Sequence, residues 1–119
     1  MADTDNVVDW EQALDSVGGD PELLKAVIAA FLEEAPAKLQ EIRQAIDERQ
    51  TTMLHRAAHT LKGSLGYFGN QAAIERALML ELLGRRGTCE GAAPLVAELE
   101  SHLAGILHCL SVYLEQQAA

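Results

Sequence analysis

Val96, Leu99, Leu103, Ile106, Leu110 and Tyr113 recur at a strict 3-4 spacing towards the end of this 119-residue chain. In a helix, residues three and four apart lie on one face, so these six positions form a single apolar stripe about five turns long. A stripe of that length requires other helices to cover it. A second stripe, Leu54, Ala58, Leu61, Leu65 and Phe68, runs at 4-3-4-3 spacing. Alternating runs of β-branched residues are lacking, and Ala, Leu and Glu are abundant. The pattern predicts an all-α fold, an antiparallel four-helix bundle with short N-terminal helices covering one end.

Punctuation residues set the expected boundaries. Residues 1–8 read as a disordered or frayed N-terminus, and residues 9–116 as one domain. A short helix is expected over Asp9 to Val17, closed by Gly18 and Gly19. Asp20 before Pro21 marks an N-cap with proline at the first helical position. That helix should reach about Glu34, where Pro36 ends or kinks it. A further helix is expected from Pro36 to about Arg49. Thr51 or Thr52 should cap the next, which reaches about Tyr67. Gly69 fits a left-handed turn and Asn70 a cap for a helix from Gln71 to about Gly84. Thr88 is a candidate cap for the last helix, whose start Pro94 blurs.

Composition narrows the function. At 49% hydrophobic residues the chain can build an ordinary core, and its formal charge of -9 disfavours nucleic acid or an anionic membrane as partner. Cys89 and Cys109 lack the short spacing of a zinc knuckle or a disulfide framework, so a reduced, cytoplasmic protein is expected. The first ten residues do not resemble a signal peptide, and no apolar run was expected to reach the roughly 20 residues of a membrane span.

The chemistry concentrates between Thr51 and Asn70. His59 falls one residue beyond the buried stripe, about 100° around the helix. Its neighbours three and four positions away are His55, Arg56, Lys62 and Gly63, none of them apolar. The ring is therefore expected at the edge of the core, one side against the bundle and one in water. Gly63 and Gly66 continue its stripe. An exposed helical glycine costs roughly 1 kcal/mol relative to alanine, and two on one stripe suit a surface that another protein must approach closely. A neutral imidazole nitrogen is a competent nucleophile towards phosphorus near pH 7.

The run His59-Thr60-Leu61-Lys62-Gly63-Ser64, followed by Gly69, resembles the H-x-L-K-G-S signature of histidine-phosphotransfer (HPt) domains of two-component phosphorelays. The likeness extends from about Trp10 to Leu114, including the GGDPELL stretch and the FLEEAP break. It implies that His59 carries a phosphoryl group, exchanged with an aspartate of response-regulator receiver domains. Lys62 would assist the phosphoryl group and Gly63 clear the docking surface, with His55, Arg56, Gly66 and Tyr67 around it. Tyr67 departs from the Ala or Leu common after the second glycine and bears on partner choice. If the two central helices form a hairpin centred near Gly69 and Asn70, Glu81 stands within about one residue of the height of His59, roughly 1.5 Å of rise. It could accept a hydrogen bond from Nδ1–H and leave Nε2 as nucleophile, and HPt domains carry Gln or Glu near that place.

No nucleotide loop or acidic Mg2+ cluster is legible, so whether the chain counts as an enzyme is open. It reads as a phosphocarrier without kinase or ATPase activity of its own. No cofactor or metal is expected in this chain, and Mg2+ would belong to the receiver. A hybrid sensor kinase is a further expected partner, and the domain is expected to be a monomer. Two bland readings stand beside this. His55 and His59 at i, i+4 could chelate zinc, although H-R-A-A-H lacks the glutamate of a zincin. A non-catalytic interaction bundle is the other, against which the set His59, Lys62 and Gly63 argues. A sensor-kinase dimerisation helix would carry an acidic residue where Thr60 stands.

Overall fold

The computed structural model describes residues 7–118, and they form five helices. The short α1 covers Trp10–Ser16. The bundle consists of α2 (Pro21–Asp47), α3 (Thr51–Leu65), α4 (Gln71–Arg85) and α5 (Ala92–Ala118). The molecule measures 45 × 26 × 21 Å, its long axis set by the 27-residue helices α2 and α5. The predicted stripes are buried: Val96, Leu99, Leu103, Ile106 and Leu110 from the first, with Tyr113 at its end half-buried, and Leu54, Ala58, Leu61, Leu65 and Phe68 from the second. Each leucine or isoleucine removed from water contributes about 1.5–3 kcal/mol.

Pro36 does not end a helix, contrary to the sequence reading. It lies inside α2, so one short helix, not two, precedes the bundle. A proline within a helix loses one backbone hydrogen bond and costs about 3 kcal/mol. Here Phe31, Ala35, Leu39 and Ile42 carry the buried face through the proline without a break. Packing on both sides outweighs the local defect.

The caps follow the sequence at three of the expected sites. Asp20 accepts from the N–H groups of Glu22 and Leu23, and Asn70 from that of Ala73. Gly69 adopts φ +68°, and a Cβ there would stand 2.9 Å from the Asp9 Cβ. The threonines behave differently. Gln50 precedes α3 without a side-chain cap bond, and Thr88 accepts from Glu90 N–H in a turn before α5 begins.

The expected frayed start falls mostly on residues 1–6, outside the described residues. Val8 is buried, Asp9 N–H donates to Phe68 O at 2.9 Å, and Asn70 Nδ2 donates to Val7 O. Trp10 stacks on Tyr113 with ring centroids 4.6 Å apart, as a lid on the bundle end. Helix α5 is, by length and composition, apolar enough to cross a membrane, contrary to the expectation from the sequence. Its seam is nevertheless occupied by the bundle core. Ion pairs from Arg43 to Glu100 and from Arg76 to Glu98 fix its flanks. Both cysteines are free thiols, and burial pushes the Cys109 thiol up.

Candidate functional site

Helices α3 and α4 approach each other closely at Gly84. A Cβ on Gly84 would lie 2.5 Å from His55 N and 2.7 Å from Thr51 O, both backbone atoms of α3. Only a bare backbone fits this crossing. The sequence reading took Gly84 as a helix terminus. Its packing role has no signature in the local sequence, because it depends on which helix lies opposite.

One turn before Gly84, Glu81 points into the cleft between the two helices. Its side chain is 3% exposed, and it is the only buried charged residue among those described. A buried charge is costly unless paired. Glu81 Oε2 stands 2.9 Å from His59 Nδ1, and Oε1 stands 2.7 Å from Lys62 Nζ. The Oε1 atom makes no well-angled hydrogen bond, so the Lys62 pair is held by charge rather than by direction. Arg85, one turn further along α4, brings Nη2 to 3.6 Å from Oε2. Burial acts most strongly on this carboxyl and would raise its pKa. Lys62 and His59 together, by contact and by charge, outweigh burial and hold the pKa below the usual carboxylate range.

An ionised carboxylate can only accept, so the His59 Nδ1 must carry the hydrogen. The lone pair then sits on Nε2. The His59 side chain is 64% exposed, which leaves that edge of the ring to solvent. Leu61 and Ala58, on the other face of α3, are fully buried and hold the helix in place.

The structure brings His59, Lys62 and Glu81 into one contact cluster, as their spacing suggested. Lys62 differs from expectation in one respect. It does not extend freely beside His59 but rests on Glu81, because a buried carboxylate attracts the nearest ammonium. Sequence reasoning missed Arg85. Its position four residues after Glu81 was the available signal.

The expected docking residues surround the histidine. Gly63 is open, with nothing within 4 Å of where a Cβ would be, and Gly66 follows as the C-cap of α3. Arg56 is exposed and lines a hollow between α2 and α3 with Lys38, Glu41 and Thr60. Tyr67 is exposed beside Phe68, over Val27 and Glu34. His55 is half-buried, its Nδ1 3.3 Å from the Glu81 carbonyl oxygen. Among the described residues no group of three or more His, Cys, Asp or Glu side chains is arranged to hold a metal ion.

A solvent-facing imidazole backed by a buried acceptor, on the second helix of a four-helix bundle, is one feature of this chain. The other is its sequence, which matches the Hpt domain family over residues 26–108. The chain belongs to the Hpt domain family. It is thus a histidine-phosphotransfer module of phosphorelay signalling. The Hpt fold is confirmed by two solved structures. One is the HPT domain of an Hpt sensor hybrid histidine kinase from Shewanella, with TM-score 0.83 and 20% identity, covering 96% of this chain and 98% of that one. The other is the histidine-containing phosphotransfer protein B (HptB) of Pseudomonas aeruginosa PAO1, with TM-score 0.82 and 19% identity, covering 94% and 96%. No curated protein matches the sequence. Interaction with kinases and receiver domains follows from membership of the Hpt family.

Proposed function

We propose that His59 is the phosphoacceptor of this Hpt domain and that Nε2 is its nucleophile. The observation that carries this is the 2.9 Å contact between Nδ1 and the buried Glu81 carboxylate, behind a ring whose other edge faces water. The donor is the aspartyl phosphate of a receiver domain. The Nε2 lone pair attacks phosphorus, the N–P bond forms, and the P–O bond to aspartate breaks to return a carboxylate. Positive charge that develops on the imidazole is stabilised by Glu81 through Nδ1–H. Lys62, held to Glu81 by charge, turns to meet the phosphoryl oxygens as a mobile point charge. The reverse reaction uses the same groups.

Mg2+ is supplied by the receiver, whose acidic pocket would hold it. The open surface at Gly63 and Gly66, flanked by His55, Arg56 and Tyr67, admits the receiver's loops. The domain acts as a cytoplasmic monomer without nucleic-acid or membrane partners, as the net charge of -9 favours. A hybrid sensor kinase is a second candidate partner.

The test is transfer from a phosphorylated receiver to wild type and to His59→Gln. Wild type should gain an acid-labile, base-stable phosphoramidate, and the variant should fold and remain unlabelled. Labelling of His59→Gln would refute the assignment.

A further inference from the structure

We propose that Arg85 is a positioning residue for phosphotransfer, the reserve countercharge that keeps the buried Glu81 carboxylate paired while Lys62 turns away to the phosphoryl group. The need for a reserve rests on the phosphotransfer reading of Lys62, whereas the pairing of Arg85 with Glu81 does not.

The buried Glu81 carboxylate has three partners at unequal distances. Lys62 Nζ stands 2.7 Å from Oε1, His59 Nδ1 2.9 Å from Oε2, and Arg85 Nη2 3.6 Å from Oε2. Removing one partner of a buried ion pair is costly, because it leaves a charge out of water and uncompensated. Lys62 is the partner that phosphotransfer takes away. Oε1 makes no well-angled hydrogen bond even at rest, so the departure of Lys62 strips it of its only close cation. Burial, the strongest single influence on this carboxyl, then pulls it towards the neutral form. A neutral Glu81 would no longer balance positive charge developing on the His59 ring.

Arg85 is placed to enter at that moment. It follows Glu81 by four residues on α4, the spacing at which side chains meet on one helix face. Its side chain is mostly exposed, so the arm moves through water rather than through packed core. Closing from 3.6 Å to a charge-assisted contact of about 2.8 Å takes less than about 1 Å of travel. The guanidinium stays charged at any working pH, and its planar fork can meet both oxygens of a carboxylate. At rest the shorter Lys62 pair holds the carboxylate and Arg85 stands at its edge.

No other cation among the described residues pairs with the Glu81 side chain. Arg56 lines the hollow between α2 and α3 with Lys38 and Glu41, and His55 meets Glu81 through its backbone carbonyl. A cation in the last turn of α4 also answers the helix dipole. Arg86, the next residue, would serve that purpose as well, and a dipole role makes no demand on the distance to Glu81.

The experiment follows the 13C signal of the Glu81 carboxyl against pH in the full chain, for wild type, Arg85→Ala, Lys62→Ala and the double variant. Arg85→Ala alone should move the Glu81 midpoint slightly upward. In the Lys62→Ala background the same change should raise it much further. In the single variant Lys62→Ala, the Arg85 guanidinium N–H signals should shift and exchange more slowly with water than in wild type. This measurement judges the pairing even if the double variant does not fold. Transfer from a phosphorylated receiver should slow by up to about fivefold in Arg85→Ala, and Arg85→Lys, which keeps a charge, should recover most of the rate. The proposal is overturned if removing Arg85 shifts the Glu81 midpoint equally in both backgrounds, if the Arg85 signals ignore the loss of Lys62, or if Arg85→Ala transfers phosphate as fast as wild type. A Lys62→Ala rate equal to wild type would count against the phosphotransfer role of Lys62 instead, and the Glu81 titration would still judge the pairing of Arg85.

Discussion

Gly84 of α4 and His55 of α3 approach so closely that a single methyl group at Gly84 would stand 2.5 Å from the His55 backbone nitrogen. This contact lies one helical turn from Glu81, so it fixes how deeply the Glu81 carboxylate enters the α3–α4 cleft. The distance between Glu81 and His59 is thereby set by a residue that has no side chain.

Gly84→Ala should accordingly be destabilising although it raises helix propensity. The gain of roughly 1 kcal/mol in propensity is opposed by overpacking of typically 1–3 kcal/mol against a backbone that cannot yield. A net loss of about 1 kcal/mol in chemical denaturation is expected. Phosphate transfer should fall further than stability does, as Glu81 is drawn back from His59. A variant as stable and as active as wild type would show that the helices separate freely.

Glu81 should reveal itself through tautomer and pH. In Glu81→Ala the Nδ1–H loses its acceptor, and 15N spectra should show the His59 ring shifting towards the Nε2–H form. Transfer should slow at least tenfold, about 1.4 kcal/mol of barrier. Glu81→Gln retains an acceptor oxygen and should keep the tautomer. The folded protein holds the Glu81 carboxyl below its ordinary range. The stabilisation this provides is present above the unfolded-state pKa, about 4.3, and is lost as pH falls through the folded value, because the unfolded chain binds the proton first. Denaturation midpoints of wild type should therefore drop more steeply than those of Glu81→Gln on acidification through that range. Parallel curves would contradict the assignment.

Lys62→Ala should leave the fold intact and slow transfer by about tenfold or more, since the phosphoryl oxygens lose their ammonium. The Nδ1–Glu81 contact does not pass through Lys62, so the His59 tautomer should persist. Arg85 stands further from the carboxylate and is exposed, and Arg85→Ala should have the smaller effect. Quench-flow transfer from a phosphorylated receiver would rank the two. Equal rates for Lys62→Ala and wild type would remove Lys62 from the mechanism.

Gly63→Leu separates docking from chemistry. The new side chain enters open space and improves helix propensity, so thermal stability should hold or rise slightly. Transfer from a receiver should fall sharply, whereas labelling by phosphoramidate should survive. Equal losses with both donors would mean that the glycine serves the histidine and not the partner.

Asn70→Ala tests the connection that aligns α3 with α4. Asn70 caps α4 through Ala73 N–H and donates to Val7 O. Loss of a cap costs about 1 kcal/mol, and loss of the second bond adds to it. A destabilisation of 1–2 kcal/mol is expected in urea unfolding, with the transfer rate of the folded protein little changed.

The helical class, the two buried stripes, the Asp20 and Asn70 caps and the turn at Gly69 were legible in the order of residues alone. Each of these follows from residues within a few positions of one another, where periodicity and backbone preference are decisive. That order also singled out His59 and Lys62 through their place beside the buried stripe and the H-x-L-K-G-S-like run, and Glu81 because a short hairpin turn makes the heights of residues on two helices calculable. Four features were settled only by the tertiary structure. Pro36 stays helical because buried residues on both sides outweigh one missing hydrogen bond. Thr51 and Thr52 are passed over as caps, and Gln50 precedes α3 instead. Lys62 rests on Glu81 because burial of the carboxylate, a property of the packed pair of helices, leaves a charge that must be met. Gly84 reads locally as a terminus, yet it admits the backbone of α3 at His55 and Thr51, since a glycine's packing value lies entirely in what stands opposite it.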